Sequence, residues 1–104
     1  IATVEAYNSA TVKAFDSTTV IACGSATVKA FDSTTVIAYG NATAEAYNNV
    51  IAKAYDNAKV SAYDSTKVEA RSRAMVKAYD NTIVIYPEQN KVVYPIGWTI
   101  ETHE

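Results

Sequence analysis

Side chains that can do covalent or metal chemistry are sparse in this chain. It holds one cysteine, Cys23, and one histidine, His103. His103 stands in a polar C-terminal tail with no Cys or acidic partner at metal-ligand spacing, so it reads as a tail residue. A Ser/His/Asp set, a phosphate-cradling Gly-rich loop and a cysteine cluster are all missing from the sequence. The expectation is a protein with no catalytic residues, no cofactor and no resident metal.

The residues that do recur are aspartates, aromatics and threonines. Asp16 and Asp32, and again Asp64 and Asp80, lie sixteen residues apart. Clustered carboxylates suit hard cations such as calcium. Calcium β-rolls, however, use a Gly-rich nine-residue repeat that is absent here. The aspartates are therefore expected to accept backbone N–H groups at turns. Two aromatic series, Tyr7, Tyr39 and Tyr55, and Phe15, Phe31, Tyr47, Tyr63 and Tyr79, are expected to stack and cover the fold. The competing reading makes them a platform for glycans or another polymer. Cys23 and Arg71 break the first series. Thr3, Thr19 and Thr35, and Thr11, Thr27 and Thr43, form regular threonine arrays of the kind a flat ice-binding face would need. They fail at Ile51 and Lys59, and Thr is in any case a good strand residue. Asn41-Ala42-Thr43 matches the N-glycosylation acceptor pattern, which is common by chance.

What positions these residues is an eight-residue repeat. From Ala2 the chain reads ATVEAYNS, ATVKAFDS, TTVIACGS, ATVKAFDS and onward to AMVKAYDN, with consensus A-T-V-x-A-Y-[DNG]-[SN]. Eight residues match neither two turns of α-helix nor three, whereas character alternates with period two inside each unit, the strand signal. Each unit ends in residues that turn a chain at low steric cost. The fourth position carries Glu5, Lys13, Lys29, Glu45, Lys53, Glu69 and Lys77, and unpaired charges are costly to bury. That parity, shared by the second and sixth positions, must face water. The first, third and fifth positions, mostly Ala and Val, face inward.

A second period of sixteen defines the coil. The first position alternates between Ala (10, 26, 42, 58, 74) and usually Thr (18, 34, 66, 82), and the seventh alternates between Asp and Gly24 or Gly40. The prediction is an all-β, two-sheet β-solenoid with sixteen residues per coil. About six coils would make a flattened rod on the order of 30 Å long. The octads occupy residues 1–81, and residues 82–104 are expected to form a C-terminal capping coil and tail. There Tyr86 and Tyr94 replace the inward Ala and Trp98 continues the parity, while Pro87 and Pro95 suit an edge that must not recruit another strand. The N-terminal edge shows no such cap. More octads or a cap are expected upstream, or failing that a two-fold dimer through the uncapped edges.

The octads resemble repeat tracts of the ATVxAYDS or ATVxAYGN type in bacterial and prophage-encoded proteins, over about residues 2–81. That resemblance implies a β-solenoid serving as a stalk, spacer or attachment surface, extracellular or on a cell or virion surface, and it carries no catalytic residues. Bulk properties agree with one thin-cored domain. The chain has 104 residues, 49% of them hydrophobic but mostly Ala and Val, with no Leu, and a net charge of −2. Such charge gives no basic footprint for nucleic acid, and no apolar run approaches the roughly 20 residues a membrane helix needs. A non-catalytic structural or interaction module is the leading expectation. The alternative is a ligand-binding solenoid with a flat face for ice or polysaccharide.

Overall fold

The structure, a computed structural model, describes residues 3–71, 73–79, 82–86, 91–93 and 100–103. These residues are all-β and contain no helix. Each octad contributes one four-residue strand, and successive strands go alternately to two sheets. The first sheet holds β1 (Thr3–Ala6), β3 (Thr19–Ala22), β5 (Thr35–Ala38), β7 (Ile51–Ala54), β9 (Lys67–Ala70) and β11 (Ile83–Tyr86). The second holds β2 (Thr11–Ala14), β4 (Thr27–Ala30), β6 (Thr43–Ala46), β8 (Lys59–Ala62) and β10 (Met75–Ala78). Within each sheet neighbours are parallel and offset by sixteen residues, as in Val20↔Val36 and Lys13↔Lys29. The result is a β-solenoid of about five turns, sixteen residues per coil. Its principal extents are 30 × 25 × 19 Å.

The turn count falls below six because the chain reverses after β11. Strand β12 (Lys91–Val93) pairs antiparallel with β11, and β13 (Ile100–His103) pairs antiparallel with β10. The parallel ladder itself runs through β11 to Ile85↔Glu69, four residues into the segment assigned to the cap. His103, in the polar tail, is the last residue of β13, its backbone opposite Met75. Tyr86 points inward at 2% exposure. Tyr94, Trp98, Pro87 and Pro95 lie outside the described residues.

The interior follows the alternation. Third-position Val20, Val28, Val36, Val68 and Val76 and fifth-position Ala22, Ala30 and Ala46 are fully buried. Only in the first coil do Val4 and Val12 become half-buried. Among the described residues this interior is Ala, Val and Thr, with Tyr86 at the β11 end.

The corners explain the rest of the repeat. Seventh-position Asn8, Asp16, Asp32, Asn48, Asp56, Asp64, Gly24 and Gly40 all have φ between +55° and +67°. Gly, Asn and Asp visit that left-handed region at least cost, hence the narrow choice of residue. Asp56 stands on the line of Gly24 and Gly40, so the Asp/Gly alternation is not strict.

Two kinds of corner alternate, and the first position tells them apart. After the corners at Asn8, Gly24, Gly40 and Asp56 comes an inward Ala whose N–H closes the turn. Ala10 donates to the Tyr7 carbonyl at 3.1 Å, Ala42 to Tyr39 at 3.1 Å and Ala58 to Tyr55 at 3.1 Å. These corners also bond to one another through the backbone, as Asn41 N–H does to the Gly24 carbonyl at 2.9 Å. At the opposite corners a threonine hydroxyl does both tasks, joined at Thr82 by the backbone N–H, which donates to the Tyr79 carbonyl at 3.3 Å. Thr34, Thr66 and Thr82 donate Oγ1–H to the carbonyls of Phe31, Tyr63 and Tyr79, each at 2.8 Å. The same oxygens reach the carbonyl of the corner one coil earlier, Asp16 at 3.3 Å, Asn48 at 2.9 Å and Asp64 at 3.4 Å. These threonines are buried polar residues with a structural duty.

Candidate functional site

With the interior filled by Ala, Val and Thr, everything able to meet a partner stands on the outward ladders. The second aromatic series is a continuous stack. Centroids of Phe15, Phe31, Tyr47, Tyr63 and Tyr79 are 5.0, 4.9, 4.8 and 4.6 Å apart in order, with interplanar angles of 6–10°. Parallel strand spacing sets this distance, and each pair adds about 0.5–1.5 kcal/mol beyond its burial. Stacking consumes the ring faces. What the ladder offers outward is ring edges and tyrosine hydroxyls, plus the outer face of Phe15, which is 52% exposed.

The first aromatic series is broken at Cys23, a free half-buried cysteine, between Tyr7 and Tyr39. It resumes with Tyr39 on Tyr55 at 4.9 Å. Arg71 extends it rather than interrupting it, because its guanidinium lies 5.7 Å over the Tyr55 ring and pairs with Glu69 at 3.5 Å. Two tyrosines couple to a neighbouring carboxylate. Tyr7 Oη donates to Glu5 at 2.5 Å and Tyr47 Oη to Glu45 at 2.8 Å. The bond to Glu45, aided by burial, pushes the Tyr47 phenol up to about 12. The Glu5 bond raises Tyr7, and burial first, then Tyr79, raises Tyr63.

The threonine arrays fall as the repeat predicts. Thr3, Thr19 and Thr35 are in register on the first sheet, and Thr11, Thr27 and Thr43 on the second, ending at Ile51 and Lys59. At the corners, Asp56 accepts the Gly40 N–H at 3.1 Å and Asp64 that of Asn48 at 3.4 Å, while Asn48 Nδ2 donates to Asp32 at 3.3 Å. Asp80 lies outside the described residues. No group of three or more His, Cys, Asp or Glu able to hold a metal occurs among the described residues. Nor is any helix there long and apolar enough to cross a membrane. Asn41 of the glycosylation pattern is exposed at a corner.

Assigning each outward residue to its sheet brings out an asymmetry that reading the octads one by one passes over. The first sheet presents Ile21, Ile37, Ile51, Ile83 and Ile85, with Lys53 and Lys67 balanced by Glu5 and Glu69. Strands β2 to β10 of the second present no Ile but four lysines, Lys13, Lys29, Lys59 and Lys77, against Glu45, and β13 sets Glu101 in register with Lys77. The signal is in the fourth column, once odd and even octads are separated. On the second face, Ser61 leaves a gap between Glu45 and Lys77. There a depression of about 140 Å³ is lined by Thr43, Lys59, Val60, Ser61, Met75 and Lys77.

No family model, curated protein or solved structure matches the chain.

Proposed function

We propose that this chain is a non-catalytic structural and interaction module, a stiff spacer that presents ladders of side chains at fixed intervals on a surface of attachment. The carrying observation is the unbroken in-register ladder of β1 to β11 around an interior of Ala, Val and Thr. Each coil contacts its neighbours in the same way, so length scales with coil number while cross-section stays constant, the mechanical property a spacer needs. The side chains able to bind something are all external and repeat at the strand spacing.

A coil-insertion series tests this reading. Duplicating residues 26–41 should lengthen the rod by about 4.8 Å per inserted coil, read as the distance between spin labels on the exposed corner residues Ser17 and Ser65. Duplicating the single octad 26–33 exchanges the two sheets downstream and should cost stability. Distances that do not track coil number, or equal tolerance of eight- and sixteen-residue insertions, would remove the basis for a spacer.

A further inference from the structure

Among the described side chains, the second sheet's outer face carries more lysines than carboxylates. Overall the protein is acidic, at −2, yet β2 to β10 of this sheet set four lysines against Glu45, and only Lys77 has a second carboxylate residue, Glu101 of β13, in register with it. Lys13 and Lys29 are in register on adjacent strands, where like charges directly opposite are destabilising. Glu45, in register with Lys29, is bonded to Tyr47 instead. None of the four lysines makes an ion pair with another described residue. Beside the lysines run the hydroxyls of Thr11, Thr27 and Thr43, and the gap at Ser61 makes a depression of about 140 Å³ flanked by Lys59 and Lys77 with Met75 as an apolar wall.

We infer that this face binds an acidic polysaccharide of the polyuronate class, carboxylates on the lysines and one sugar ring seated at Ser61. The inference rests on reading the chain as an interaction module and names the partner of one face. Charge complementarity selects a polyanion. Within that class, single-stranded nucleic acid binds by stacking its bases on open aromatic faces, and here the neighbouring rings have spent theirs on each other. An anionic membrane favours a face with embedded apolar side chains, but the outward isoleucines of β3, β5, β7 and β11 stand on the opposite sheet. Ammonium groups interleaved with Thr and Ser hydroxyls suit a polymer carrying both carboxylates and hydroxyls.

The test is titration of the full chain with polygalacturonate at low ionic strength, with neutral dextran, a single-stranded oligonucleotide and anionic phosphatidylserine vesicles as comparisons. Polygalacturonate should bind and dextran should not, with affinity falling as salt rises. K13Q/K29Q and K59Q/K77Q should each weaken binding roughly tenfold or more, the loss of two charge-assisted hydrogen bonds. K53Q/K67Q changes net charge equally on the opposite face and should leave binding unchanged. Ser61→Phe fills the depression without altering charge and should also weaken binding. Circular dichroism verifies that each variant keeps the fold. Equal losses from both faces, tighter binding of the oligonucleotide or vesicles, indifference to Ser61→Phe, or no binding of polygalacturonate would each overturn the inference. The spacer reading is judged separately by the inserted-coil distances, so either can fail alone.

Discussion

Replacing Thr66 by Val is a near-isosteric change that removes a single hydroxyl from the middle of the rod. Thr66 is fully buried, and its Oγ1–H serves the Tyr63 carbonyl at 2.8 Å and the Asn48 carbonyl at 2.9 Å. One proton is shared between these two acceptors and, more distantly, the Ala46 carbonyl at 3.4 Å, and its removal leaves both corners without the donor that ties them. A buried acceptor stripped of its partner costs about 1–3 kcal/mol, and the added methyl recovers part of that by apolar burial. The expected net loss is about 1–2 kcal/mol, which for a chain of this size lowers the melting temperature by roughly 4–15 °C. Position 50 supplies the reverse experiment. Val50 is fully buried on the same threonine line, and the Asn48–Asn49 corner before it is a bend where the other described corners of that line are turns. Val50→Thr should restore the turn-closing bond to the Tyr47 carbonyl and stabilise the fold by roughly 0.5–1 kcal/mol. Thermal unfolding followed by circular dichroism reads both. A Thr66→Val variant as stable as the parent, or a Val50→Thr variant less stable than it, would refute the assignment of the hydroxyl as corner donor.

Ala30→Leu should destabilise by roughly 1–3 kcal/mol through overpacking between the sheets, since Ala30 is fully buried. Adjacent Lys29→Leu, outward, should change chemical denaturation little, and the reverse order would invert the inside/outside assignment. Cys23→Tyr should complete the ladder from Tyr7 to Tyr39 and add about 0.5–1.5 kcal/mol per new ring pair, detected as a higher denaturation midpoint; a lower midpoint would mean that Cys23 occupies a space too small for a ring. Raising pH should weaken the fold through Tyr47. Its phenol is held up to about 12 by the bond to Glu45, against about 10 in the unfolded chain. The bond's contribution is therefore complete below about pH 10 and lost as pH climbs towards 12. Tyr47→Phe should remove that part of the alkaline loss, and an unchanged pH profile in the variant would show the bond to be inert.

Much of this fold is legible in the sequence because a solenoid repeats its local rules. Charges at the fourth position decide the parity, and the Ala/Thr alternation at the first position separates a sixteen-residue coil from a longer one. The reason for that alternation is not legible. It depends on which corner closes its turn through the backbone alone, as at Ala42, and which adds a threonine hydroxyl, as at Thr34, and the seventh residue does not tell them apart, since Asp32, Gly40 and Asp56 have φ within a few degrees of one another. The reversal of β12 and β13 onto β11 and β10 was equally hidden. Tyr86 announces a change of packing, but antiparallel return depends on how the intervening chain turns, and the repeat carries no rule for it.

Surface chemistry was present in the sequence but folded into the wrong period. Taken octad by octad, Lys13, Ile21, Lys29 and Ile37 look like a single mixed column of polar and apolar residues. Taken every sixteen, they separate into a lysine column and an isoleucine column on opposite faces. The aromatic ladder shows the converse. Its recurrence every sixteen residues was plain, whereas its consequence for binding depended on a dimension the sequence lacks. Rings spaced by the strand repeat and tilted by only 6–10° stack face to face, so the feature that most resembles a sugar platform has closed its own surfaces. The lysines of β2, β4, β8 and β10 are what remains open to a partner.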